Sequence, residues 1–400
     1  MKVYFEDKQF SFQLLRLLGS SVSGGSDVGE CLSTAYRINE GDFESWYSEW
    51  NRTAERIRKT ADDCLAGGHN VSAREAYMRA YNYYRSAEFY LHGDPDDPRI
   101  AELAGKALDC FSQVVSLSPL DIEPLQIPYE GTTLPGYIYR PDRSGNPKPT
   151  LLAMTGYDGT QEEFLGLGAA SASRGLNCVT FEGPGQGSVI HEQGLPFRPD
   201  WENVVTPVVD HVLGIPDVDP KEVALLGLSF GGYLAPRAAA FEHRLAALVA
   251  NGGVFDFMGS RVPAGMTREQ FFAMARDYPE EFNKNAEEAM KDNTDMRWGI
   301  QHGMYVLKAS SPADYMVKAM EYVMEGVADK IECPTLVIDS ENDFSFPGEA
   351  KKLYDALTCP KTWLLFTAEE GADDHCQVGA QLLSGQRIFD WLEETLDGIT

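Results

Sequence analysis

Along the first 120 positions, apolar residues recur at three- and four-residue intervals. From Phe43 they fall at Trp46, Tyr47, Trp50, Ala54, Ile57, Ala61 and Leu65, one face of a helix. Gly67-Gly68 stops that helix, and Ser72 with Glu75 three residues on reads as a capping box that starts the next. The second helix carries Tyr77, Tyr81, Tyr84, Tyr90 and Leu91 and ends before the turn-rich Asp94-Pro-Asp-Asp-Pro98. A third helical stretch runs from about Arg99 to Leu117. The tyrosines read first as helix-packing core, with one or two available to line a pocket.

After Pro119 the period changes. Glu123–Tyr129 and Leu134–Tyr139 flank Glu130-Gly-Thr-Thr133 as a hairpin would. Short apolar runs separated by helical stretches follow at Thr150–Met154, Asn177–Phe181, Val223–Leu226, Ala246–Ala250, Thr335–Ile338 and Thr362–Phe366. This alternation predicts a mostly parallel sheet with helices on both faces. The expected organisation is an N-terminal helical accessory domain over 1–120 and an α/β domain over 121–400. An inserted lid is expected at about 254–331, with helices around Arg268–Ala275 and Ala313–Val323. Helical domain and lid are both additional to the minimal sheet and are expected to close over its strand ends.

Composition narrows the partners. The chain has 400 residues, 43% hydrophobic and 24% charged, enough for a sizeable soluble core. Its formal charge of −27 argues against nucleic acid or an anionic membrane surface. No run approaches a membrane span, and Met1-Lys-Val-Tyr-Phe-Glu-Asp7 lacks the apolar centre of a signal peptide. Seven scattered cysteines with no CxxC pair fit reduced thiols in the cytoplasm. The sequons at Asn51 and Asn70 read as chance matches.

The sharpest chemical signal is Val223-Ala-Leu-Leu-Gly-Leu-Ser-Phe-Gly-Gly-Tyr233, a strand running into Gly-x-Ser-x-Gly. Leu234–Phe241 then reads as a helix, the context of a nucleophile elbow. Gly227 and Gly231 leave room for a tight turn that lifts the Ser229 hydroxyl clear of the backbone. The partners of such a serine follow in the order acid, then histidine, each after a late strand. His375 is the only histidine beyond residue 302, so the base is nearly forced. Asp343, just past the Thr335–Ile338 strand, is the preferred acid, with Asp339, Asp256, Asp373 and Asp374 as alternatives. An oxyanion hole needs two backbone N–H groups. Phe230 should give one and Tyr157, in Thr155-Gly-Tyr-Asp-Gly159, the other, while Asp158 either caps a turn or faces substrate.

Other signals fail. Glu182-Gly-Pro-Gly-Gln-Gly187 resembles a phosphate cradle but no Lys-Ser or Lys-Thr follows. Asp339-Ser-Glu-Asn-Asp343 begins like a calcium loop, yet Phe344 stands at the turn glycine and Ala350 at the closing carboxylate. His191, His211, His243 and His302 lack ligand spacing. No metal and no cofactor is expected.

The segments together resemble an α/β-hydrolase subfamily with an N-terminal helical domain. Its members include the fungal yellowish-green-pigment polyketide-shortening hydrolases and the bacterial 2,6-dihydroxypseudooxynicotine hydrolase. The resemblance rests on Gly41-Asp-Phe-Glu-Ser-Trp46, Ser72-Ala-Arg-Glu-Ala-Tyr77, Gly156-Tyr-Asp-Gly-Thr160, Phe181-Glu-Gly-Pro-Gly-Gln-Gly187 and Gly371-Ala-Asp-Asp-His-Cys-Gln377. It implies hydrolysis of a carbon–carbon bond beside a ketone, in acyl-phenols or 1,3-dicarbonyl compounds. Arg297-Trp-Gly-Ile-Gln-His-Gly-Met-Tyr305 also resembles the family, which points to Trp298, His302 and Tyr305 as substrate contacts. The expected partner is a small aromatic or polyketide-like molecule, and a homodimer is compatible with the sequence. Three readings stand side by side: a C–C hydrolase, an esterase, lactonase or thioesterase with the same triad, and a non-catalytic receptor. A peptidase gated by a β-propeller is excluded, because some 120 helical residues cannot build one.

Overall fold

The computed structural model describes residues 1–396. The chain divides into two compact units, one of residues 1–119 with 285–305, the other of 120–284 with the chain from 306 onward.

The first unit opens with helices α1 (Lys8–Gly19), α2 (Val28–Ala35), α3 (Phe43–Ala66), α4 (Asn70–Glu88) and α5 (Pro98–Ser116). Aspartates 7, 27, 42 and 97 cap α1, α2, α3 and α5 by accepting first-turn N–H bonds. The Ser72 capping box does not start α4, which begins two residues earlier. The reason is the stop signal before it. Gly68 adopts φ +77°, its N–H reaches Leu65 O at 3.0 Å and that of His69 reaches Cys64 O at 2.9 Å. This paired closure ends α3 so tightly that the chain re-enters a helix at once. The core is aromatic: Phe43 stacks on Tyr90 at 4.2 Å, and the Trp46 indole N–H donates to Ser86 O at 2.8 Å. Tyr77, Tyr81, Tyr84 and Tyr90 are all buried.

The second unit is built on one eight-stranded sheet. Its strands are β1 (Asp121–Tyr129), β2 (Thr132–Arg140), β3 (Lys148–Met154), β4 (Asn177–Phe181), β5 (Val218–Leu228), β6 (Ala247–Asn251), β7 (Thr335–Ser340) and β8 (Lys361–Phe366), in the order β1-β2-β4-β3-β5-β6-β7-β8. The pairs β1–β2 and β2–β4 are antiparallel and all others parallel. Glu130 and Gly131, both at positive φ, make the predicted hairpin turn. Strand β5 starts five residues before the predicted Val223. Its early part pairs Val218 with Lys148, across a register shift before Thr150 meets Val223. Strands β4 and β6 are buried along their whole length, as crossover helices on both faces require. Those helices include α6 (Leu165–Ala172), α7 (Glu202–Leu213), α8 (Gly231–Ala239), α13 (Glu349–Ala356) and α14 (Gln381–Thr395).

Between β6 and β7 lie α9 (Arg268–Asp277), α10 (Pro279–Asp292), α11 (Thr294–Val306) and α12 (Pro312–Ala319). The helix expected to reach Val323 stops at Ala319. Beyond it the chain pairs with residues 255–257 instead, through Phe257 N to Tyr322 O at 3.0 Å and Met324 N to Phe255 O at 2.8 Å. Residues 285–305 of the expected insertion group with the helical unit. There the Arg297 guanidinium sits 3.7 Å over the Phe43 ring and donates to Gly41 O at 2.7 Å.

Candidate active site

Strand β5 delivers Ser229 at φ +63°, a left-handed conformation that non-glycine residues rarely hold. The turn has no space to relax. A Cβ on Gly227 would lie 2.0 Å from Gly231 O, and one on Gly232 would lie 2.4 Å from Gly252 O. The Ser229 N–H is tied to Asn251 O at the end of β6 at 2.8 Å. The elbow is thus wedged between the start of α8 and the neighbouring strand end.

The acid and the base come from the ends of β7 and β8, so all three side chains meet outside the carboxyl edge of the sheet. The His375 Nε2 lies 2.7 Å from Ser229 Oγ and its Nδ1 lies 2.7 Å from Asp343 Oδ2. The other Asp343 oxygen accepts the Ser345 and Phe346 N–H groups at 2.7 and 3.0 Å, which fixes the carboxylate plane. Burial pushes the Asp343 carboxyl up, but the facing imidazolium and these bonds outweigh it and hold the group below its ordinary range. Burial likewise opposes charge on His375, and Asp343, with the Cys376 sulfur, more than reverses this, so its pKa stands well above 6.5.

None of the alternative acids takes this position. Asp256 pairs with Arg268 at 2.6 Å, and Asp373 accepts from the Asn342 side chain at 2.7 Å. Asp339 accepts the Ser340 N–H at 2.9 Å, and Asp374 precedes His375 as the cap of its short turn.

The loop after β3 brings Gly156 against the elbow, where a Cβ would lie 2.6 Å from Phe230 N. Tyr157 and Phe230 are therefore close neighbours, and no protein acceptor takes the Phe230 N–H among the described residues. Asp158 follows on the same loop, half-buried. Around the elbow the Phe230 ring packs against Phe257 at 4.3 Å and against Phe197 and Tyr322, each at 5.3 Å. The Phe346 edge meets His375 at 5.6 Å. These aromatic side chains are all buried.

Trp298, His302 and Tyr305 lie on α11 in the helical unit. Trp298 stacks between Phe89 at 5.0 Å and His302 at 5.5 Å. His302 Nδ1 lies 2.9 Å from His92 Nδ1, and Tyr305 stacks on His92 at 4.5 Å. Sequence reading did not single out His92, nor two residues that flank the base. Cys376 places its sulfur 3.4 Å from His375 Nε2, and the Gln377 amide donates to Ser340 Oγ at 3.0 Å, linking the histidine loop to β7. Both stand in the segment that carries His375, and that adjacency was the available signal. Among the described residues no helix is long and apolar enough to cross a membrane.

Known proteins resemble this chain along most of its length. The family profile described as Esterase FrsA-like matches residues 28–263, and that of the alpha/beta hydrolase family matches residues 152–380. Hydrolase LUC6 of a Fusarium species is 36% identical, over 99% of this chain and 98% of that protein. The 20-hydroxy-prefusarin hydrolase FUS2 of Gibberella moniliformis is 34% identical over 99% and 98%. The crystal structure of the 2,6-dihydroxy-pseudo-oxynicotine hydrolase shares the fold, with a TM-score of 0.75, 22% identity and coverage of 95% of this chain and 96% of that one. With the matched profiles and full-length relatives added to the sheet order and the elbow, the chain belongs to the α/β-hydrolase family of enzymes.

Proposed function

We propose that this protein is a serine hydrolase that cleaves the carbon–carbon bond beside a ketone in an aromatic polyketide, acyl-phenol or 1,3-diketone. The observation that supports this most is the hydrogen-bonded line from Asp343 through His375 to Ser229, 2.7 Å at each step. In this reading His375 Nε2 takes the Ser229 proton as Oγ adds to the substrate carbonyl, while Asp343 holds the tautomer and stabilises the imidazolium. The N–H groups of Tyr157 and Phe230 receive the oxyanion. Collapse of the adduct breaks the C–C bond, and the electron pair leaves on carbon as an enolate or a phenol-ring carbanion. The imidazolium protonates that carbon. Water, deprotonated by His375, then releases the carboxylic acid from Ser229.

The imidazolium formed in this step lies 2.7 Å from the buried Asp343 carboxylate, which stabilises it until the leaving carbon takes its proton. The aromatic cluster of Phe197, Phe230, Phe257 and Tyr322 at the elbow suits a planar substrate. Nearly full-length similarity to a relative named for 20-hydroxy-prefusarin supports a small-molecule substrate of that general kind. Asp158, on the same loop as Tyr157, is assigned to substrate contact in the same reading.

The match to the Esterase FrsA-like profile favours a second reading, an ester, lactone or thioester substrate with the same residues. An acyl-naphthol ketone and its matched ester, each offered in deuterated water, separate the two. The first reading expects ketone cleavage with deuterium on the released ring or methyl carbon. Turnover of the ester alone, across a panel of ketones, gives the second.

A further inference from the structure

The segment Glu182-Gly-Pro-Gly-Gln-Gly187 follows β4, and its backbone is highly constrained. Gly185 holds φ +87°, and a Cβ there would lie 2.2 Å from the Phe197 ring; a Cβ on Gly183 would lie 2.7 Å from Trp201. Glu182 braces the turn from inside, accepting the Gln161 N–H at 3.1 Å and the Ser188 N–H at 2.8 Å. The product of this construction is a single polar side chain, Gln186, 1% exposed and directed at the loop after β3.

Its amide is fully committed. The Gly183 N–H donates to Gln186 Oε1 at 2.9 Å, which fixes which end of the amide is oxygen. Nε2 is thereby turned to donate to Thr155 O at 2.8 Å and to Gly156 O at 3.1 Å. A peptide group is planar and trans, so its C=O and the following N–H point in opposite directions. Anchoring the Gly156 carbonyl on one side therefore aims the Tyr157 N–H to the other. Gly156 itself lies against Phe230 N, so the loop is held from behind by Gln186 and in front by the elbow.

We propose that Gln186 is a positioning residue of the oxyanion hole, its side-chain amide locking the Gly156–Tyr157 peptide so that the Tyr157 N–H faces the developing oxyanion. This rests on the reading above, in which Tyr157 and Phe230 supply the two donors. Gln186 never touches substrate. Its effect is specific to the tetrahedral adduct, because the planar ground-state carbonyl makes little use of the hole.

The test uses Gln186→Glu and Gln186→Met in the full chain, with a nitrophenyl ester as substrate and a trifluoromethyl ketone as mimic of the adduct. Gln186→Glu keeps the acceptor for Gly183 but turns an oxygen toward the two carbonyls; Gln186→Met keeps volume and loses every bond. Both are expected to lower kcat about 30- to 300-fold with KM within about threefold, a loss approaching that of a missing oxyanion donor. Affinity for the trifluoromethyl ketone should fall in parallel with kcat, while affinity for the carboxylate product stays within about threefold. If Gln186→Met does not fold, Gln186→Glu alone carries the test. Retention of kcat within threefold in the folded variants, with Ser229→Ala inactive beside them, overturns the role of Gln186 and leaves the serine mechanism standing. Equal loss of affinity for product and for the ketone also overturns it, since that marks a general distortion of the site. An active Ser229→Ala enzyme overturns the mechanism and this proposal with it.

Discussion

Replacing Gly156 by alanine adds one methyl group at the most crowded point of the site. The new carbon would lie 2.6 Å from Phe230 N, 2.7 Å from Leu228 O and 3.0 Å from Ser229 Cβ. Two of these atoms are backbone, and the elbow that holds them is tied down by Ser229 N to Asn251 O at 2.8 Å and Gly232 N to Ser229 O at 2.7 Å. The loop after β3 must therefore retreat, by roughly 0.8 Å to regain an ordinary contact of 3.4 Å. An N–H···O bond of about 2.9 Å stretched by that amount falls outside hydrogen-bond range. The expected result is loss of the Tyr157 donor, about 2.7–4 kcal/mol or 10²–10³ in kcat, with KM little changed. Initial rates and the acyl-enzyme burst on a nitrophenyl ester measure it. Gly105→Ala is the matched control, since its Cβ meets nothing within 4 Å on α5; it should leave kcat unchanged and raise stability by up to about 1 kcal/mol. A Gly156→Ala enzyme with kcat within threefold of the parent refutes the argument that this backbone approach forms the hole.

Ser229→Ala and His375→Ala should each lower kcat on the order of 10⁴-fold with the fold intact by circular dichroism, and near-normal turnover in either sinks the triad. The neutral imidazole is the base and its pKa is raised, so kcat/KM should climb with pH through an inflection above 6.5. Asp343→Asn removes the charge responsible, so that inflection should move down as turnover falls strongly; an unmoved inflection assigns it elsewhere. The stability contributed by the raised His375 is present below its unfolded value near 6.5 and fades as pH rises through the folded one. That of the depressed Asp343 is present above its unfolded value near 3.8 and is lost as pH falls through the folded one. Gly187→Ala would put a Cβ 1.9 Å from Glu182 Oε1, and its thermal midpoint should drop by several degrees; an unchanged midpoint would show that this turn yields freely.

The elbow was legible because its signal is local: Gly227, Ser229 and Gly231 occupy one strand–turn–helix and require no distant partner. Strand alternation was legible for the same reason. The preference for Asp343 over Asp339 turned on a few positions at one strand end: Asp339 lies within β7, whereas the turn from Asp343 N to Ser340 O at 3.0 Å carries Asp343 past it to the imidazole. Expected boundaries were overridden at three places, once by a stronger local signal and twice by long-range pairing. The closure at Gly68 pre-empted the Ser72 box, the partner at Lys148 lengthened β5, and pairing with Phe255 and Phe257 cut α12 short. Gln186 was invisible for a different reason: the glycines around it were weighed as a ligand cradle, whereas the group they present is directed at another loop of the same chain.

The helical unit draws on two stretches that are far apart in the chain, 1–119 and 285–305. During synthesis, Phe43, Phe89 and His92 leave the ribosome long before Arg297, Trp298 and Tyr305, the side chains that pack on them. All of 120–284 must be translated in between, a wait of roughly ten to thirty seconds at typical elongation rates. Through that interval the nascent helices must hold an aromatic surface whose final cover has not yet been made. No single break in the chain separates the two units, because each is threaded through the other's sequence. A gene cut at Pro119 would therefore yield one fragment lacking its last helix and another carrying that helix with nothing of its own unit to pack against.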